Sequence, residues 1–190
     1  KDFAVLYRTN AQARLIEERL VLGSVPYNVV GGTNFYDRRE IKDVLCYLKT
    51  IDNGRDDLAV RRIINVPKRG IGATTVTRAA DYAAISGKSL FEVMERGDQI
   101  PDIKKAGLKL RAFAEMIHEC RQYALTHSLV ELGRFVLETT GYIEALRASG
   151  EEDAEDRENN VQELMSKLAD FEQRMSNEDQ EATLTGFLED

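Results

Sequence analysis

Apolar residues recur at the spacing of amphipathic helices through most of the chain, and only its N-terminal part carries strand-like runs. The short apolar run Phe3–Tyr7 predicts a strand, and Tyr27–Val30 predicts a second one. Between them, residues 11–22 have a helical pattern, so the start of the chain predicts a β-α-β unit of a parallel α/β sheet. A further helix is predicted from Asp37 to about Ile51.

From Asn53 onward the strand signals disappear and glycines separate successive helical patterns. We predict helices at residues 58–66, 73–86, 89–95, 103–126, 128–139 and 157–175. The like-charge run Glu151–Asp156 between the last two predicts a solvated loop. The predicted fold class is therefore mostly α. A short βαβ fragment over residues 1–53 precedes an all-helical domain over 54–182, and residues 183–190 begin a return segment.

The most informative stretch is Asn65–Thr74, which predicts a tight turn between two helices. Pro67 cannot continue the first helix, and Gly70 and Gly72 allow a sharp bend that leaves backbone N–H groups uncovered. The second helix starts there, so its positive dipole end points the same way.

Four cations surround this turn: Arg61, Arg62, Lys68 and Arg69. Two interpretations follow from the residues alone. The turn either holds a nucleic-acid phosphate backbone without reading bases, or is an ordinary helix–helix turn with solvated charges.

Charge is unevenly distributed behind the net value of −7. Residues 151–190 contain fourteen acids and three bases, a sum of −11, which leaves +4 for the first 150 residues. This division favours a basic working face and an acidic remote lobe. Two cysteines in helical patterns, Cys46 and Cys120, indicate buried thiols in a reducing, cytoplasmic setting, and no membrane-spanning run is present.

Other chemical signals in the sequence are weak. Tyr7 and Arg8 follow the first predicted strand, where an aromatic ring could stack on a base and an arginine could meet a phosphate, or Arg8 is a surface residue. The segment Ser86–Ser89 ends like a P-loop, but Tyr82 occupies the position of its first glycine and a helix precedes it.

No metal site is predicted from the histidines, cysteines or acidic run, since none has ligand spacing. His118 and His127 are nine residues apart, and we interpret both as structural or surface residues.

Three linked segments resemble the UvrD/PcrA/Rep-type superfamily 1 DNA helicases, most closely the PcrA branch. Residues 4–12 resemble motif IV, residues 30–43 resemble motif IVa, and residues 65–72 resemble the helix-hairpin-helix of the mobile subdomain called 2B. The order and spacing of the three also match. The resemblance implies part of a RecA-like subdomain, 2A, followed by 2B.

That resemblance implies roles for individual residues of an ATP- and Mg²⁺-dependent enzyme that moves 3′ to 5′ along DNA. Arg8 would contact the γ-phosphate of ATP, and Tyr7 would stack near the adenine. Motif IVa would line the single-strand path, and the hairpin would hold duplex DNA. The residues assigned to DNA are Gly32, Phe35, Arg38, Arg61, Arg62, Lys68, Arg69, Gly70, Ile71, Gly72 and Thr74.

The implied partners are DNA, the remaining helicase subdomains and repair or replication proteins, with no membrane. Lys1 is not an initiator Met and Thr185–Asp190 has the pattern of a helix just starting, so we expect a piece of a longer chain. Because the sequence lacks Walker A and Walker B, we expect this piece alone to hydrolyse no ATP. The alternative function is a protein-interaction or autoregulatory module that uses the acidic lobe.

One local departure from the family concerns the late helix. Family members commonly have Arg-x-Glu-Asn, whereas this chain has Arg157-Glu158-Asn159-Asn160. The displaced acid predicts a change in an ion pair or in local packing.

Overall fold

The computed structural model describes residues 3–7, 16, 19–20, 23, 25–27, 35–101 and 103–190. The chain divides into two compact units, Lys1–Asp37 and Arg38–Asp190. Little of the first unit is described: Ile16, Arg19 and Leu20 are helical, and Phe35–Asp37 forms a 3-10 helix. The predicted domain boundaries at residues 53 and 182 stay predictions.

The predicted βαβ fragment is wrong, since no strand occurs among the described residues. Phe3–Tyr7 has no regular secondary structure, and Phe3 and Leu6 are almost fully exposed. Val25 and Tyr27 are also exposed, and the rest of the second predicted strand lies outside the described residues. An apolar run becomes a buried strand only where neighbouring strands pair with its backbone and cover its faces, and the described part of the chain supplies none.

The second unit is helical, as the periodicity predicted. Its α-helices are α1 (Arg39–Asp52), α2 (Asp57–Ile63), α3 (Ala73–Ser86), α4 (Leu90–Met94), α5 (Lys104–Ala124), α6 (Leu129–Thr140), α7 (Tyr142–Ala148), α8 (Ala154–Asn177) and α9 (Leu184–Glu189). A 3-10 helix, Gly97–Gln99, lies against α5.

Capping residues explain where several of these helices begin. Asp56 accepts from the N–H groups of Leu58 and Ala59 at the start of α2. Ser89 and Ser128 form reciprocal capping boxes with the glutamates three residues later, at α4 and α6. In both boxes the hydrogen bond to the carboxylate lowers the pKa of the glutamate.

The core lies between α1 and the helices packed on it, α2, α5, α8 and α9. Tyr47, Ile63, Leu90, Phe113 and Leu132 belong to one continuous buried cluster. Arg121 of α5 ties this core to the end of α1. Its guanidinium donates to the carbonyl oxygens of Ile51 and Thr50 at 2.9 and 2.8 Å and lies over the Phe91 ring. The uncovered end of α1 is thereby satisfied by a side chain rather than by water.

Two helical details differ from the sequence prediction. Helix α7 was missed, because Gly141, which ends α6 in a left-handed conformation, also starts α7 directly. Helix α8 begins within the acidic run, where Glu155 and Asp156 occupy its first turn and favour the positive end of the helix dipole. Among the described helices, none is sufficiently long and apolar to cross a bilayer.

Candidate nucleic-acid interface

The glycine-containing turn connects α2 to α3, and its inner side is anchored by one side chain. The Oδ1 atom of Asn65 accepts hydrogen bonds from the backbone N–H groups of Arg69 at 2.8 Å and Ile71 at 3.2 Å. Ile71 is buried in the core, and Gly70 adopts a left-handed φ of 69°. Two of the N–H groups predicted to be uncovered are therefore used inside the turn itself.

Arg69 is turned toward the protein rather than toward solvent. Its guanidinium donates to the carbonyl oxygens of Ile63 and Pro67 at 3.1 Å each, and to the Tyr47 hydroxyl. It also lies over the Tyr47 and Phe113 rings, at 5.8 and 5.3 Å from their centroids. Burial raises the pKa of Tyr47 to about 12, although the nearby guanidinium favours the charged form.

Arg62 is held in a similar way by the first helix of the unit. Its Nε donates to Oδ1 of the buried Asp43 at 2.8 Å, and its guanidinium also donates to the Arg39 carbonyl. The other carboxylate oxygen of Asp43 accepts from the Tyr142 hydroxyl at 2.8 Å. Burial, and then the negative charge of Asp43, raises the pKa of Tyr142, which keeps this phenol a donor.

The outer side of the turn is open. Gly72, Ala73 and Thr74 are exposed, and their backbone N–H groups donate to no acceptor within the described residues. A Cβ atom built on Gly72 would meet nothing within 4 Å, and its φ of −77° suits any residue. Three consecutive free donors at the start of a 14-residue helix are the arrangement that receives an anion.

Three exposed lysine and arginine residues belong to the turn or to the helices near it. Lys68 and Arg61 are exposed and form no hydrogen bond or ion pair within the described part of the chain. Lys109 of α5 was missed from the sequence, because it lies 39 residues from the turn. Its Nζ donates to the Gly70 carbonyl at 2.9 Å, which brings a third cation to the turn.

The remaining predicted site residues are dispersed or undescribed. Arg8 and Gly32 lie outside the described residues, and Tyr7 is half-buried. The Phe35 ring contacts the Tyr36 ring edge to face, at 5.3 Å. Arg38 immediately precedes α1 and donates to the Asn160 side chain, whose amide nitrogen in turn donates to buried Glu40 at 2.6 Å.

In α8, the residues of the Arg157-Glu158-Asn159-Asn160 segment that departs from the family pattern have different partners. Glu158 pairs with Arg147 of α7, and Arg157 pairs with Glu151 and Asp153. The second of the two asparagines is the one bonded to Glu40. The displaced acid therefore joins α7 to α8.

Neither the histidines nor the cysteines form a reactive cluster. His118 contacts Glu95 at 2.7 Å, and His127 stacks on Tyr123 with ring centroids 3.6 Å apart. Cys46 and Cys120 are free thiols whose pKa values are raised by burial, for Cys120 to about 11. Over the described residues, no group of three or more potential ligands could hold a metal ion.

Comparison with known proteins places these features in context. Residues 1–190 match the family described as UvrD-like helicase C-terminal domain. The ATP-dependent DNA helicase PcrA of Bacillus subtilis (strain 168) is 44% identical over 189 residues, covering 100% of this chain and 25% of that relative. The protein of the same name from Leuconostoc citreum is 40% identical over 190 residues, covering 98% of this chain and 25% of its own length.

A third relative, ATP-dependent DNA helicase PcrA of Staphylococcus aureus (strain Mu50 / ATCC 700699), is 39% identical over 193 residues. These residues cover 100% of this chain and 26% of that relative. The chain thus spans about a quarter of the length of the curated relatives it matches.

Proposed function

The chain belongs to the UvrD-like helicase C-terminal domain family, and from that premise we propose that it is part of an ATP-dependent 3′-to-5′ DNA helicase. Its own contribution is to bind duplex DNA without regard to sequence, through the turn between α2 and α3. The turn acts as a helix-hairpin-helix that holds the duplex ahead of the separating strands.

One observation carries this proposal: the exposed, unbonded N–H groups of Gly72, Ala73 and Thr74 at the start of α3. A phosphate placed there receives several backbone donors and the positive end of a helix dipole. The missing side chain at Gly72 lets the sugar-phosphate backbone approach closely. Backbone contacts of this kind position a duplex but carry no sequence information.

The cations around the turn divide into two roles. Lys68, Arg61 and Lys109 are exposed, and in this proposal they supply the favourable field for a polyanion. Arg62 and Arg69 act indirectly, because their guanidinium groups hold α2 and the turn in shape. The hydroxyl of Thr74 adds one further donor beside the exposed amides.

The ATP-dependent part of the proposal concerns the parent enzyme. By resemblance to motif IV, Arg8 stabilises the γ-phosphate charge and Tyr7 stacks near the adenine of ATP bound with Mg²⁺. Since the sequence contains no Walker A or Walker B motif, this chain alone hydrolyses no ATP. Magnesium-dependent phosphate release by the purified chain would contradict that statement.

Duplex binding by the 190-residue chain tests the proposal, with fluorescence anisotropy of a short labelled duplex as the readout. We expect Gly72→Val to weaken binding about tenfold or more, because the new side chain occupies the path of the phosphate. The fold tolerates this change, since the position has an ordinary φ and no neighbour.

The matched control is Ala84→Val, which places the same side chain at an exposed position in a later turn of α3. We expect it to leave duplex affinity unchanged. Equal effects of the two variants, or wild-type affinity in Gly72→Val, would remove the turn from the binding site.

A further inference from the structure

A groove of 610 Å³ is lined in part by residues 65–68, the segment that leads into the turn. Its walls come from α1, from α7 and from the residues leading into α8. Val66, Pro67, Ala145 and Leu146 give it a mostly apolar lining. The volume lies within the range of about 300–1,000 Å³ that is usual for sites binding small or extended ligands.

The charged groups lining this groove are unequal in what they can offer a partner. Its acids are already engaged: Asp43 by Arg62 and Tyr142, Glu40 by Asn160, and Glu151 by Arg157. The two exposed cations, Arg39 and Lys68, make no side-chain hydrogen bond or ion pair within the described residues. Among the exposed charged side chains of the lining, the two left without a partner in the described part of the chain are therefore both cations.

We propose that this groove binds an extended acidic peptide segment of a partner protein, with apolar side chains on its floor and carboxylates against Arg39 and Lys68. The lining explains both kinds of side chain in this peptide. Burial of apolar area against the apolar lining is favourable, and carboxylates are attracted to the two exposed cations. This surface shares Lys68 with the proposed duplex site but does not include Gly72, Ala73 or Thr74, and it gives the chain a protein partner besides DNA.

The apolar floor is the reason for choosing a peptide rather than a nucleic acid. Protein–DNA interfaces are more polar and much more positively charged than protein–protein interfaces. A sugar-phosphate backbone could use the two exposed cations but would leave Val66, Pro67 and Leu146 without apolar partners. A peptide with alternating acidic and apolar side chains satisfies both parts of the groove.

The test uses the full 190-residue chain and a short fluorescein-labelled peptide in which aspartate alternates with leucine and phenylalanine. We expect saturable binding to the wild-type chain. The double variant Arg39→Glu with Lys68→Glu should weaken this binding by only about tenfold, because exposed ion pairs are individually weak. Ala145→Trp fills the groove and should abolish binding. Lys88→Glu, which reverses an exposed lysine outside the groove, should leave it unchanged.

Three outcomes would overturn the proposal: no saturable binding to wild-type chain, equal binding by the charge-reversed double variant, or equal binding of a peptide with serine in place of leucine and phenylalanine. Displacement of the peptide from wild-type chain by a short DNA duplex, together with weaker duplex binding by Ala145→Trp, would instead make the groove a nucleic-acid surface. If Ala145→Trp unfolds by circular dichroism, the charge-reversed variant decides the result.

Failure here is distinguishable from failure of the proposed duplex site. Gly72→Val should leave peptide binding unchanged, and Ala145→Trp should leave duplex binding unchanged, because neither residue belongs to the other surface. Gly72→Val and Ala145→Trp therefore each test one site, whereas the charge-reversed double variant changes Lys68, which both sites use.

Discussion

Arg69 and Lys68 are adjacent cations in the same turn, yet the structure assigns them opposite roles. Arg69 holds the turn against the core, whereas Lys68 is exposed. We therefore predict that Arg69→Ala costs folding stability and that Lys68→Ala does not. This contrast separates a positioning arginine from a lysine available to a ligand.

The magnitude follows from the contacts that Arg69→Ala removes. Three hydrogen bonds from a charged donor disappear, to Ile63, Pro67 and Tyr47. In a fully buried site each of these hydrogen bonds would contribute about 1.5–3 kcal/mol to the free energy of unfolding. Arg69 is only half-buried, so each contribution is smaller here. With the lost cation–π contacts, we expect a decrease of about 3 kcal/mol in the free energy of unfolding.

Chemical denaturation monitored by circular dichroism measures this loss, and thermal unfolding provides a second readout. For a chain of this length, about 3 kcal/mol corresponds to a fall of about 6–12 °C in Tm. Lys68→Ala should change stability by no more than about 0.5 kcal/mol. A loss of less than about 1 kcal/mol in Arg69→Ala, with duplex binding weakened as much as in Gly72→Val, would show that Arg69 contacts DNA rather than holding the turn.

Four further predictions test the fold. Gly107→Ala should lower the free energy of unfolding by more than about 3 kcal/mol, because the new Cβ would lie 1.9 Å from a carbonyl oxygen of the facing 3-10 helix. Gly87 has a left-handed φ but no close neighbour, so Gly87→Ala should lower it by only about 1 kcal/mol, as measured by urea unfolding. Leu164→Ala, fully buried in α8, should cost about 2–5 kcal/mol by the same measurement. Ser128→Ala should cost about 1 kcal/mol through its lost cap, seen as a lower urea midpoint. Burial raises the pKa of Tyr47 from 10.0 to about 12. The protonated phenol therefore contributes its full stabilisation below pH 10.0, and this stabilisation is lost as the pH rises to about 12. In a pH series of unfolding free energies, Tyr47→Phe should show a smaller decline over this range than wild type.

Helices were predictable because each buries one face and has a recognisable start. Ser89 and Ser128, each followed three residues later by glutamate, mark helix starts that the structure retains. The short α7 was not predicted, because Gly141 joins it directly to α6 and no loop marks a separate helix start. The strand prediction failed because Phe3–Tyr7 has an apolar composition but no neighbouring strand among the described residues.

For the candidate site, the position of the turn could be predicted from the sequence, but the orientation of its charged side chains could not. The exposed glycine turn could be located from Pro67 and its glycines, because their backbone restrictions are local. The inward orientation of Arg69 could not be predicted from the sequence, because its hydrogen-bond acceptors come together only when α1, α2 and the turn are folded. The same applies to Tyr142 and Asp43, which are 99 residues apart in sequence and share a hydrogen bond. Local pattern identifies where the backbone can bend, whereas the partner of a long polar side chain depends on packing.

The most direct test of the duplex site is the salt dependence of binding in wild type and Gly72→Val. If the exposed amides and nearby cations hold the backbone, log K should fall with log salt by about 0.9 for each phosphate neutralised. We expect a slope of about −2 to −3 for wild type, from the two or three cations at the turn, and much weaker binding for Gly72→Val at every salt concentration. Wild-type binding that is independent of salt, or superimposable titrations of the two proteins, would contradict the account.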